Sequence, residues 1–211
     1  MVEDVFSRFK RPVPQWYVDA KLGFMVSWGA FSVPAWGEPI GELGTISDWK
    51  HWFKHNPYAE WYYNTIRIEG SPASQYHREK FDNCPYDDLL DQWKAESFNP
   101  HEWAQLFKYA GAQYIVPLSK HHDGITLWDA PGTGTRNTVH RGPKRDLIGE
   151  IADAVRQAGI RFAVYYSGGL DWEVTNSLPA ISDNNQGGDG MQRPTDAAYS
   201  MYAYRHVIDL I

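Results

Sequence analysis

Hydrophobic and polar positions divide the chain into three apolar runs separated by stretches of helical periodicity. The runs are "LGFMVSWG" (22–29), "QYIVPLSKHH" (113–122) and "IRFAVYYSGG" (160–169), each ending in polar or aromatic residues. Short runs rich in Val, Ile, Phe and Tyr, bounded by Gly, predict parallel strands covered on both faces. Helix signals lie between them. Asn99 followed by Pro100 is a cap-then-proline start, Glu102 stands where a capping box needs it, and Gly111 closes the segment. Trp103, Leu106, Phe107 and Ala110 form its apolar stripe. A second helix opens at Asp146, carries Leu147, Ile151, Val155 and Ala158 on one side, and stops at Gly159. A third is expected from about Thr195, with Ala198, Met201, Tyr202 and the closing "VIDLI" supplying apolar contacts.

Strand and helix alternate, with a long elaborated section (about 30–98) after the first strand. Alternation of this kind means an α/β fold with a parallel sheet and right-handed crossovers. An eight-stranded barrel and a doubly wound open sheet both produce it. No G-x-G-x-x-G or P-loop follows any strand, which weakens the nucleotide-binding version. The polar clusters collect where strands end, as in barrels that build their sites from such loops. About three strand–helix units are visible where a full barrel has eight. Residues 1–211 therefore read as a single domain, an incomplete (β/α)8-like, TIM-type barrel with a long insertion after its first strand.

The composition, 43% hydrophobic and 22% charged, is that of an ordinary soluble globular protein. No apolar run approaches the roughly 20 residues that span a membrane. The start, "MVEDVFSRFKRP", lacks a signal-peptide core, so a cytoplasmic location is expected. Cys84 is the only cysteine, which excludes an intrachain disulfide and a cysteine-based zinc cluster. A net charge of −6 argues against a nucleic-acid or anionic-membrane partner. Ten Trp and thirteen Tyr exceed what a core of this size requires. Such rings serve equally as a large aromatic core or as stacking faces for sugars. Composition leaves both open.

Candidate chemistry concentrates in "LSKHHDGITLW", Leu118 to Trp128, where His121, His122 and Asp123 end a predicted buried strand. A metal site, an acid/base pair and a polar grip on a hydroxyl-rich ligand compete for it. Adjacent histidines on a strand point to opposite faces, which makes them poor joint metal ligands. His51 and His55 have i, i+4 spacing but lack the acidic residue of H-E-x-x-H. For sugar chemistry, imidazoles that donate and accept suit ring hydroxyls, and aromatic walls suit the ring itself. "NPYAEWYY" puts Glu60 beside Trp61, and "VYYSGGLDW" puts Tyr165, Asp171 and Trp172 after the third strand. Three separate clusters mixing aromatics with polar groups favour a carbohydrate pocket. No cofactor or metal is implied.

With these segments assembled, the chain resembles the alpha-L-fucosidases of glycoside hydrolase family 29. The resemblance rests on "KLGFMVSWGAFSVPAWGEP", "NPYAEWYYN", "FNPHEWAQLFKYAGAQYIVPLSKHHDGITLW", "RGPKRDLIGEIADAVRQAGIRFAVYYSGGLDW" and the closing Tyr-rich helix, and covers essentially the whole chain. It implies a barrel of (β/α)8 type and a retaining exo-glycosidase that releases terminal alpha-L-fucose from an oligosaccharide or glycoconjugate. It further implies that His121 and His122 bond to fucose hydroxyls, that Glu60 and Trp61 share the pocket, and that Tyr165 approaches the catalytic centre. Trp36 and Trp172 are candidate aromatic walls, and Arg141 to Asp146 ("RGPKRD") is a structural turn.

Two departures from the family pattern stand out. Ser27 occupies the position before Trp-Gly where the family usually has histidine. The family's nucleophilic aspartate and its acid/base carboxylate are expected beyond Ile211, so the chain is expected to be a truncated form or a shortened relative. Within residues 1–211 the substitute carboxylates to consider are Asp171 and Glu173, with Glu60 and Asp123 behind them. Asp123 is expected to be a structural partner. A partial barrel exposes an open sheet edge, so a homo-oligomer is expected. A non-catalytic carbohydrate-binding relative and a metal-dependent hydrolase are the competing functional readings.

Overall fold

The computed structural model describes residues 7–42, 44–174, 179–181 and 196–211. Three short strand pieces flank a central one. β1 (Gly23–Val26) lies parallel to β2 (Tyr114–Lys120), which pairs on its other side with β3 (Arg161–Phe162) and β4 (Tyr165–Tyr166). Helix α1 (Gln15–Ala20) precedes the sheet, and the long section after β1 holds α2 (Trp49–Lys54), α3 (Tyr62–Thr65), α4 (Pro72–Phe81) and α5 (Tyr86–Gln92). Helices α6 (Pro100–Tyr109) and α7 (Leu147–Gln157) are the crossovers that lead to β2 and β3, and they pack against each other. Helix α8 (Ala197–Asp209) closes the chain. The α/β class with a parallel sheet is as the alternation predicts.

The helix signals act through the groups expected of them. Asn99 Oδ1 accepts from the backbone N–H groups of His101 and Glu102, and Asn99 Nδ2 donates to Glu102 Oε1 at 3.0 Å. Asp146 Oδ1 accepts from Gly149 N at 2.8 Å and starts α7, whose Leu147, Ile151 and Val155 are buried. These side chains meet Ile115 and Leu118 of β2 and Leu89 and Leu90 of α5 in the main core. A smaller cluster, Trp52, Phe53, Ile68 and Ala180, sits under the long insertion.

Three details differ from the pattern reading. First, β1 is not covered on both faces: Met25 is 60% exposed, and Leu106 of α6 opposite it is 62% exposed. Among the described residues β1 is a sheet edge, with no neighbour to cover these side chains. Second, the run 160–169 splits into β3 and β4, because the register against β2 shifts between Leu118 and Lys120. Ser119 turns its hydroxyl to Tyr165 O at 2.8 Å there. An extra residue on one strand re-aims the side chains that follow it. Third, α8 starts at Ala197 under an Asp196 cap, and Thr195 lies outside the described residues. Its buried residues are Tyr199 and His206, and Leu210 of the closing segment packs against the main core, whereas Ala198, Met201, Val207, Ile208 and Ile211 are exposed. His206 is pinned between Tyr166 Oη at 3.0 Å and Pro131 O at 2.9 Å.

The "RGPKRD" turn is structural, as expected. Arg141 bridges Asp87 and Asp91 of α5, and Arg145 pairs with Glu150 of α7. Gly142 between them has φ +60°, and a Cβ there would fall 2.3 Å from Leu90 O. Gly134 has a similar φ of +58° with open space around it. Gly142→Ala should therefore destabilise the protein by more than the roughly 1–3 kcal/mol that such backbone strain costs alone. Gly134→Ala should show only the strain. Equal losses for the two variants in urea unfolding would show that the packing of this turn on α5 is unimportant.

Candidate functional site

The sheet delivers Lys120, His121 and His122 to one end of β2. The strand stops at Lys120, and Gly124, at φ +79°, closes a turn in which its N–H donates to His121 O at 3.1 Å. The two imidazoles therefore leave a turn rather than a pleat. Their ring centroids are 4.1 Å apart, side by side, so the expectation that adjacent histidines diverge does not hold.

Around this pair stands an aromatic box. Trp61, at the end of the 3-10 turn Ala59–Trp61, meets the His122 ring edge-on at 5.4 Å and Trp172 at 5.1 Å. Trp172 reaches His122 at 5.3 Å, and Tyr165 stacks on His121 at 6.1 Å. An open cleft of about 230 Å³ adjoins the box, lined by His122, Tyr165, Tyr166, Ser167 and the Gly168–Gly169 pair. His122 Nδ1 is hydrogen-bonded to Ser167 Oγ.

Both histidines are held neutral. Burial drives His121 well below the ordinary imidazole value, helped by His122 and Lys120, while a bond to the Glu60 backbone pulls the other way. Burial likewise lowers His122 to about 4, with Lys120 adding to the shift and Asp171 opposing it. His121 Nδ1 is buried without a hydrogen-bond partner. An orphaned buried nitrogen of this kind is expensive unless a ligand satisfies it. Neutral imidazoles donate and accept, which suits hydroxyls; His122 is the one that lines the cleft, whereas His121 faces a closed void too small for a water.

The structure thus gathers His121, His122, Trp61, Tyr165 and Trp172, with Glu60 joined through its backbone. The remaining candidates fall elsewhere or take other roles. Trp172 is buried to 1% exposure, so it backs the box rather than offering a stacking face. Trp36 stacks on Tyr76 of α4 at 4.4 Å, away from the histidine rings. Ser27 is exposed and lines a separate groove with Met25, Trp103 and Leu106 along the open side of β1.

Three of the substitute carboxylates, Asp171, Asp123 and Glu173, are engaged. Asp171 is buried in an ion pair with Lys120, and its Oδ1 accepts from the N–H groups of Glu173 and Val174. Asp123, as expected of a structural partner, accepts from Tyr86 Oη at 2.9 Å and from Ile125 N at 3.1 Å. Glu173 is half-exposed, accepts from Tyr63 Oη at 3.2 Å and lies 3.8 Å from Arg136 Nη2. Arg136 itself clamps Asp87. His51 and His55 stack on each other at 4.4 Å, and His55 Nδ1 bonds Glu38 at 2.8 Å.

Lys120 and Ser167 are the functional neighbours that sequence reading passed over. A lysine inside the apolar run 113–122 was the available signal. Ser167 carried none.

Residues 3–211 match the family model described as Alpha-L-fucosidase. Human tissue alpha-L-fucosidase is 40% identical over 166 residues, which cover 77% of this chain and 30% of that protein. Among solved structures, Thermotoga maritima alpha-fucosidase matches with a TM-score of 0.86 and 45% identity, over 98% of this chain and 45% of that one. The structure of Thermotoga maritima alpha-fucosidase in complex with fucose matches with a TM-score of 0.83 and 46% identity, over 94% of this chain and 43% of that one. The chain spans under a third of the length of the curated relative and under half of the solved ones. On the strength of a match along nearly its whole length, the chain belongs to the alpha-L-fucosidase family.

Proposed function

We propose that residues 1–211 form the fucose-gripping part of a retaining alpha-L-fucosidase, on a partial (β/α)8 barrel. The observation that carries this reading is the pair of buried, neutral imidazoles, His121 and His122, boxed by Trp61 and Tyr165 beside an open cleft. His121 and His122 bond to the hydroxyls of a terminal fucose, Trp61 and Tyr165 wall the ring, and Glu60 shapes the rim. A fucosylated oligosaccharide or glycoconjugate is the substrate class. A retaining mechanism needs a nucleophile and a proton donor about 5–5.5 Å apart. Asp171 and Asp123 are committed to Lys120 and Tyr86, which leaves Glu60 and Glu173, or carboxylates from outside the histidine box, for these two roles.

Hydrolysis of an aryl alpha-L-fucoside tests the activity, and thermal stabilisation by L-fucose tests the grip. His121→Phe and His122→Phe should keep the fold and weaken fucose binding by at least about 1 kcal/mol each, the value of one lost hydrogen bond. Stabilisation by fucose without turnover would favour the non-catalytic carbohydrate-binding reading. Loss of neither binding nor activity in both variants would remove the histidines from the site.

Neutrality also sets a pH dependence. His122 titrates near 6.5 when unfolded and at about 4 when folded. Its folded pKa is depressed, so its contribution to stability is complete above the unfolded value and is lost as pH falls towards the folded one. Melting temperature should hold above about pH 6.5 and decline from there to about pH 4. Fucose affinity should stay level down to about pH 5, because the imidazole remains unprotonated. An affinity midpoint near 6.5 would contradict the neutral-imidazole site.

The open side of β1 supports a second, structural proposal, that this edge is covered by a second copy of the chain. Met25 and Leu106 are exposed along a groove of about 370 Å³ that also includes Phe24, Trp103 and Phe107. Light scattering should report a homo-oligomer that Met25→Lys dissociates. A monodisperse monomer would count against it.

A further inference from the structure

One ion pair, shut off from solvent, sits beside the histidines without facing the cleft. Lys120 Nζ lies 2.7 Å from Asp171 Oδ2, and both side chains are fully buried. Lys120 also stands over the Tyr166 ring, 5.2 Å from its centroid. The pair joins the end of β2 to the loop that follows β4. That loop is laced to the same strand end by two backbone bonds, Ser167 N to Lys120 O at 3.0 Å and Trp172 N to His122 O at 2.8 Å. Ser167 then holds His122 Nδ1, and Trp172 packs against the His122 ring. The turn after the histidines passes directly over the carboxylate, since a Cβ on Gly124 would fall 2.8 Å from Asp171 Oδ1.

We propose that Lys120 and Asp171 are positioning residues: their ion pair clamps the loop 167–172 onto the end of β2 and so fixes the orientation and tautomer of His122. Ser167 Oγ, on the clamped loop, donates to Leu170 O at 3.4 Å and is left to accept from His122 Nδ1–H, which leaves Nε2 unprotonated. Without the clamp, Ser167 and Trp172 lose their fixed distance from the imidazole. The ring then samples both tautomers and several orientations. A bridge that served the fold alone would affect melting and leave the imidazole unchanged. The proposal rests on His122 as a sugar ligand only for its effect on binding, not for its effect on the ring.

Side-chain nitrogen chemical shifts of His122 read the tautomer directly. In the wild-type protein they should be well separated, marking one tautomer, and averaged shifts would overturn the proposal without any variant. Asp171→Asn removes the charge partner yet keeps an oxygen to accept from Glu173 and Val174. Lys120→Met combined with Asp171→Asn removes both charges and leaves no lone buried ion. In whichever variant keeps native circular dichroism, the His122 shifts should move towards the tautomer average. L-fucose affinity should fall roughly two- to tenfold, the scale of one lost hydrogen bond. His77, held by Tyr62 Oη and the Cys84 carbonyl, should keep its shifts. Unchanged His122 shifts in a folded variant would reduce the pair to a structural bridge. Failure of the wild type to bind fucose would end the sugar-ligand reading, while the shifts would still decide the positioning.

Discussion

A lysine placed where water cannot reach it organises the ligand-facing end of this sheet. Lys120 is the last residue of β2, and its side chain is fully buried. Desolvating an ammonium group costs several kcal/mol unless a well-placed partner answers it. The chain supplies that partner fifty-one positions later, as Asp171. Bringing a carboxylate to that point obliges the loop after β4 to fold back over the strand end. Trp172 and Ser167 arrive with it, one on each side of His122. The histidine box is thus a consequence of satisfying a buried charge.

The aromatic surplus divides between the two roles that composition could not separate. Most rings belong to the core: Trp28 packs on Trp93, Phe98 and Trp103, and Trp52 on Phe53 and Tyr58. Tyr62 and Tyr86 are buried and use their hydroxyls on His77 and Asp123. Trp61 and Tyr165 remain half-buried beside the histidines and are the rings placed to meet a sugar. Burial drives the histidines' neutrality, so the rings that exclude water are also what tunes the imidazoles.

Local signals were legible wherever local physics decides the outcome. The caps at Asn99 and Asp146 and the stripe of Leu147, Ile151 and Val155 are read from spacing alone, because a helix end must satisfy its own N–H groups. The strand positions followed from apolar runs. What the sequence hid depends on neighbours. Met25 and Leu106 look like core residues, and their exposure follows from β1 being an edge among the described residues. Val207 and Ile208 on α8 are likewise exposed apolar residues. The histidine pair escapes strand alternation, because both residues lie past Lys120, where the strand ends. Asp171 could be named as an acid but not as the partner of Lys120, because no local pattern links them.

The electrostatic state of the box bears on the chemistry proposed for it. Glycoside hydrolysis passes through a transition state with oxocarbenium character, so positive charge develops on the sugar ring. A cationic imidazole against that ring would oppose the reaction, and an unpaired ammonium nearby would add to the opposition. Burial keeps His121 and His122 uncharged, and Asp171 offsets the field of Lys120. The site therefore offers hydrogen-bonding capacity with almost no net charge of its own. In the proposed role hydroxyl recognition and charge stabilisation are separated: the imidazoles would hold the sugar, and carboxylates other than Asp171 and Asp123 would answer the charge. Such a separation would let the pocket keep its imidazole contacts to a sugar while Asp171 and Asp123 serve the structure.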